Sequence, residues 1–109
     1  MLFRSLAQFA NTEKVLMFLV SDTLRVGIVT GHVPLKEVSQ HITKERIHEK
    51  LHLMNESLVK DFGVNRPRIA VLGLNPHAGD NGLLGMEEKD IIQPAIREAF
   101  DRGMMVYGP

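Results

Sequence analysis

Apolar residues in this chain fall into short continuous runs separated by turn residues, and into one long stretch with a helical repeat. Residues 15–20 form an unbroken apolar run that begins after Lys14. Bounded by polar residues, it reads as a strand buried on both faces. Ser21-Asp22-Thr23 is turn chemistry, and residues 24–30, LRVGIVT, read as a second strand. The interval is too short for a helical crossover, so the two strands are expected to pair as an antiparallel hairpin. Pro34 ends the second strand and suits the first turn of a short helix over 35–41. Thr43 can cap a longer helix over 44–62, along which Ile47, Leu51, Met54, Leu58 and Phe62 recur on one face. Gly63 and then Arg66-Pro67 close that helix.

Residues 69–74 are a third apolar run. A strand, a long helix and another strand predict a parallel crossover from the second strand to the third, in a mixed sheet. A loop containing Gly79, Gly82 and Gly85 follows. Residues 87–102 then read as a helix, with Ile91, Ile92, Ala95, Ile96, Ala99 and Phe100 apolar. Pro94 lies inside it and is expected to split or kink it. Gly103 closes the helix, and residues 104–107 look like a fourth strand. Residues 1–13 carry a weaker helical pattern through Leu2, Leu6, Phe9 and Ala10. The expected class is α/β, as one domain over 1–109. Because the sequence stops where a strand begins, it reads as an internal piece of a longer protein.

Composition narrows the partners. The chain has 109 residues, enough for one modest core. Its 13 basic and 13 acidic residues cancel, which argues against a nucleic-acid or membrane-surface partner. There is no cysteine, so any metal must use His, Asp or Glu. The run at 15–20 is far too short to span a bilayer. The first ten residues lack the apolar core of a signal peptide. A cytoplasmic location is the expectation.

The segment 68–85 carries the candidate chemistry. A strand runs into Asn75-Pro76-His77, then glycines, then the acidic pair Glu87-Glu88 at a helix start. Open α/β sheets present ligands beyond the carboxyl ends of their strands in this manner. His32 and His77 share a position type, since each follows a strand and stands next to or near a proline. If the second and third strands were close in one sheet, both imidazoles would project from one edge. Imidazole suits zinc and other divalent metals, and catalytic sites often take three protein ligands. Two histidines are an incomplete set, and locally hydrogen-bonded loop residues are the plainer alternative. His48-Glu49-Lys50-Leu51-His52 matches H-E-x-x-H, a zinc-protease pattern. Here Leu51 belongs to the apolar stripe, and no third ligand follows at suitable spacing, so an ordinary amphipathic helix is the preferred reading. Gly79, Gly82 and Gly85 could cradle a phosphate through backbone N–H groups. Their spacing matches neither common phosphate-binding fingerprint, and a plain surface loop is the simpler reading. Asp80 is either a partner of His77 or turn chemistry.

The string from Arg68-Ile69-Ala70-Val71 through Leu74-Asn75-Pro76-His77-Ala78-Gly79-Asp80, with Gly82, Gly85, Glu87-Glu88 and Pro94, resembles the 4-hydroxythreonine-4-phosphate dehydrogenase family of vitamin B6 biosynthesis. So does Leu24-Arg25-Val26 through Thr30-Gly31-His32-Val33-Pro34-Leu35-Lys36, where the family has a strand ending in His-x-Pro-Leu. The resemblance covers about 14–109, and residues 1–13, which do not look like the family, read as an atypical N-terminal segment.

The resemblance implies a three-layer α/β/α architecture related to isocitrate and isopropylmalate dehydrogenases, and a homodimer with its active site at the subunit interface. It implies oxidation of 4-phosphooxy-threonine, a phosphorylated hydroxy-amino acid, by NAD(P), followed by loss of CO2 to give 3-amino-2-oxopropyl phosphate. It also implies a divalent metal (zinc, magnesium or cobalt) held by three histidines, of which the first two fall on His32 and His77. The family's third histidine lies in a His-Asp-Gln-Gly segment absent from this sequence, as are its downstream substrate-holding residues. The resemblance assigns no catalytic or NAD-binding residue among these 109. Asn81 stands where the family usually has glycine, and H-E-x-x-H is not a family feature. The chain by itself is expected to be inactive. Two alternatives stand beside this reading: a paralogue acting on another 4-phosphorylated hydroxy acid, and a truncated, non-catalytic dimerising module that binds metal weakly.

Overall fold

The computed structural model describes residues 14–109, so the helical pattern noted over 1–13 lies outside the described residues. Strands β1 (Met17–Val20) and β2 (Arg25–Ile28) form the expected antiparallel hairpin, with Met17 opposite Ile28 and Val20 opposite Arg25. Ser21 makes the turn, its hydroxyl accepting from the Leu24 N–H at 3.1 Å. The strand is not buried on both faces, however: Leu19 is 53% exposed and Val20 51%. Phe18 is the β1 side chain that packs against the core, its ring 5.8 Å from that of Phe62. A two-stranded hairpin lying on a helix covers one face only, and apolar continuity in sequence does not reveal which layers surround a strand.

The segment Leu35–His41 is a 3-10 turn with no buried residue. Helix α1 (Lys44–Lys60) starts at Thr43, whose side chain accepts from the Arg46 N–H at 3.1 Å. Ile47, Leu51 and Leu58 are its buried residues, as the periodicity requires. The helix ends two residues earlier than the apolar stripe. Gly63, at φ +65°, turns the chain back so that the Val64 N–H reaches the Leu58 carbonyl at 2.8 Å.

Strand β3 (Arg68–Ala70) does not pair with β2. It pairs in parallel with β4 (Met105–Tyr107), Ile69 lying opposite Val106. The expected crossover through α1 is thus replaced by one from β3 to β4 through the second helical segment. Among the described residues the strands form two separate pairs, one antiparallel and one parallel, and not one mixed sheet. That segment divides near Pro94 as expected: a π turn at Glu88–Ile92 runs into helix α2 (Gln93–Asp101), with the proline in its first turn. Proline is at home there because first-turn N–H groups have no helical acceptor.

The core is continuous across these parts. Ile47, Leu51 and Leu58 of α1 meet Ile92, Ala95, Ile96 and Ala99, with Ile69 and Val106 from the parallel pair. The class is mixed α/β. Among the described residues no helix is long and apolar enough to cross a membrane.

Candidate functional site

The loop after β3 is shaped by one side chain. The Asn75 Oδ1 accepts from the His77 N–H at 2.9 Å and the Gly79 N–H at 3.1 Å. Its Nδ2 donates to the Leu84 carbonyl at 3.2 Å. Asn75 therefore ties the start of the loop to its end. The backbone between is tightly wound, with Ala78, Gly79, Asp80 and Asn81 at φ values of 49°, 77°, 49° and 57°. Aspartate and asparagine tolerate this left-handed region better than other side-chain-bearing residues. Asn81 adopts this conformation at φ 57°.

The phosphate-cradle reading weakens at this point. The N–H groups of Ala78, Asp80, Leu83 and Leu84 donate to carbonyls within the loop, at 2.7–3.2 Å. With those of His77 and Gly79 held by Asn75, most of the loop's donors are engaged internally.

His77 is exposed, and its ring has no hydrogen-bond partner among the described residues. His32 is likewise exposed, at φ 59° in the segment after β2. The two histidines leave different strand pairs, which are not joined in one sheet among the described residues. Among the described residues no three His, Cys, Asp or Glu gather as a metal-holding group. Two accessible imidazoles suit a divalent metal chemically, but a three-ligand set needs one donor more than these two. Asp80 serves the turn: its carbonyl accepts from Leu83 and its N–H donates to His77.

The H-E-x-x-H residues do other work. His48 Nε2 lies 3.0 Å from the Ala95 carbonyl and 3.5 Å from Glu98 Oε2, joining α1 to α2. Lys44 completes this clasp with a 2.9 Å bond to Glu98 Oε1, which holds that carboxyl below the usual glutamate range. His52 faces Glu56, its neighbour one turn on, at 3.5 Å. Lys60 pairs with the same carboxylate and lowers its pKa. A cleft of about 820 Å³ passes His48, His52, Arg46 and Arg102, and no residue of the 75–85 loop lines it.

One participant was not visible in the sequence. Glu88 looks there like an ordinary acidic helix start, yet it is 1% exposed. Its Oε1 accepts from the Leu74 N–H at 2.8 Å and the Asn75 N–H at 3.3 Å. The available signal was its place immediately behind a glycine-rich loop, where a carboxylate can reach main-chain donors.

The site is thus a strand-exit loop presenting an exposed histidine in a mixed α/β chain. Residues 3–109 match the family described as pyridoxal phosphate biosynthetic protein PdxA, and the chain belongs to that family. The match takes in most of the segment before residue 14 that the motifs left out. The chain is 52% identical over 102 residues to a 4-hydroxythreonine-4-phosphate dehydrogenase of Bacteroides thetaiotaomicron, covering 94% of this chain and 28% of that protein. The crystal structure of a 4-hydroxythreonine-4-phosphate dehydrogenase from Klebsiella pneumoniae superposes with a TM-score of 0.89 at 36% identity, covering 98% of this chain and 32% of that one. A terephthalate 1,2-cis-dihydrodiol dehydrogenase from Burkholderia xenovorans gives a TM-score of 0.81 at 30% identity, covering 89% of this chain and 31% of that one. The chain spans about a third of the length of these proteins.

Proposed function

We propose that the whole protein oxidises 4-phosphooxy-threonine with NAD(P) in pyridoxal phosphate synthesis, and that this chain supplies two of its metal ligands, His32 and His77. The observation that carries the proposal is the Asn75-built loop, which leaves the His77 ring exposed and without a hydrogen-bond partner among the described residues. Membership of a pyridoxal phosphate biosynthetic family, with relatives named 4-hydroxythreonine-4-phosphate dehydrogenase, supports the reading.

That reaction would remove a hydride from the substrate C–H and a proton from its hydroxyl, and NAD(P), when bound, would supply the hydride acceptor. The resulting 3-keto acid then loses CO2, takes up a proton and gives 3-amino-2-oxopropyl phosphate. A divalent metal (zinc, magnesium or cobalt) supplies Lewis-acid polarisation of the reacting oxygen. His77 would contribute a ring nitrogen from a turn whose main chain Asn75 holds, and His32 would contribute a second from the segment after β2. The architecture that goes with this reading is a three-layer α/β/α fold related to isocitrate and isopropylmalate dehydrogenases, working as a cytoplasmic homodimer. The residues binding NAD(P), and the third histidine, belong to parts of the protein beyond these 109 residues.

A second reading has one observation in its favour. The Burkholderia structure carries a name with a different substrate, a cyclic cis-diol, on a closely similar fold. A paralogue acting on another hydroxy compound is therefore the alternative. Both readings are tested by following NADH or NADPH formation by the whole protein with 4-phosphooxy-threonine and with a cis-dihydrodiol. Turnover of the phosphorylated amino acid, reduced by at least about 100-fold in His77→Ala, is expected. Turnover of the diol alone would favour the second reading, and turnover of neither would contradict the first.

A further inference from the structure

Glu88 is the one buried charged residue among the described residues, at 1% exposure. Its side chain is only half used. Oε1 accepts from the Leu74 and Asn75 N–H groups, while Oε2 is buried with no hydrogen-bond partner among the described residues. Oε2 lies against the other limb of the same loop: a Cβ on Gly79 would stand 2.7 Å from it. Burying a carboxylate with an unpaired oxygen costs stability. An apolar side chain would fill this position without that cost, so the carboxylate's gain lies in what it grips.

What it grips is the frame of His77. Leu74 and Asn75 stand just before that residue and Gly79 just after it, and Asn75 itself bonds the His77 N–H. A second feature aims the carboxylate there. Glu88 opens the π turn that precedes α2, and the wider π winding shifts side-chain direction relative to a regular helix.

We propose that Glu88 is a positioning residue for His77, holding the 74–79 turn by its main chain so that the imidazole is presented at a fixed place. This rests on the reading of His77 as a metal ligand. The grip depends on reach and on a hydrogen-bond acceptor, not on charge. Glutamine keeps an oxygen at the position of Oε1, whereas aspartate keeps the charge but withdraws it by one methylene.

The test uses the whole protein and zinc as the probe, titrated by calorimetry into wild type, Glu88→Gln, Glu88→Asp, His77→Ala and the Glu88→Asp/His77→Ala double variant. Amide hydrogen exchange over 74–79 is read on the same samples. The expected result is a loss of zinc affinity on the order of tenfold in Glu88→Asp, with most of the affinity retained in Glu88→Gln. Exchange at Leu74 and Asn75 should quicken in the aspartate variant while α1 stays protected. In the His77→Ala background, Glu88→Asp should cost no further affinity, because the two residues act through one another. Equal losses with and without His77 would overturn the proposal, as would a glutamine variant weaker than the aspartate one. If wild type binds no zinc, the metal reading falls and exchange decides for Glu88 alone. Faster exchange at Leu74 and Asn75 in Glu88→Asp but not in Glu88→Gln then supports the grip, and unchanged exchange overturns it.

Discussion

Gly79→Ala is expected to destabilise the chain by about 2–5 kcal/mol. Two separate causes add. Gly79 has φ 77°, which an L side chain adopts at a cost of about 1–2 kcal/mol. A Cβ there would also stand 2.6 Å from the Gly85 carbonyl oxygen and 2.7 Å from Glu88 Oε2. The first of these is main chain on the far limb of the loop, so relief requires the loop to open, at about 1–3 kcal/mol for overpacking. Two other glycines separate the causes. Gly63 has φ 65° with nothing within 4 Å of a Cβ, so alanine there should cost only the backbone term, about 1–2 kcal/mol. Gly31 has open space and no positive φ, so alanine there should be neutral or stabilising by up to about 1 kcal/mol. Urea unfolding of the three variants checks the ordering. A Gly79 variant no worse than Gly63→Ala would mean that the loop is not closed against Glu88.

The second large effect belongs to the core beneath α1. Ile47 is 2% exposed, among the least accessible side chains of the helix, and sits where α1 meets α2. Ile47→Ala is expected to cost about 2–5 kcal/mol through lost apolar burial and the cavity left behind. His52→Ala, five residues along the same helix, should change stability by no more than about 0.5 kcal/mol, because its ring is 70% exposed and faces only Glu56. The comparison asks whether the H-E-x-x-H helix is a structural amphipathic helix or a site. Loss of fold in His52→Ala, with Ile47→Ala tolerated, would reverse that assignment.

Local features of this fold were readable from the sequence because local chemistry causes them. The Ser21 turn closes the β1–β2 hairpin with its own hydroxyl. Thr43 caps α1 through its own side chain. Pro94 divides the second helical segment where a missing N–H must fall near a helix start. The pairing of strands was not readable. Whether β3 joins β2 or β4 depends on contacts between residues such as Ile69 and Val106, far apart in sequence, and an apolar run carries no mark of its neighbour. The same limit explains the misjudged burial of Leu19 and Val20 in β1.

At the site, the asparagine, histidine and glycines of the 75–85 loop announce a strand-exit loop by type and order. Their arrangement does not follow from type. That the Asn75 side chain and the loop's own carbonyls consume most of the donors a phosphate would need is a result of three-dimensional closure. Glu88 turns inward at the first residue of a π turn, for which the sequence has no simple code.

The most direct test of the account is calorimetric zinc titration of the whole protein, comparing wild type with two double variants. One removes His32 and His77, and the other removes His48 and His52. The account predicts that wild type binds zinc, that the first double variant loses binding, and that the second retains it, because His48 is committed to the Ala95 carbonyl and Glu98. Loss of binding in the second variant, or its survival in the first, would contradict the assignment of the site to the strand-exit histidines.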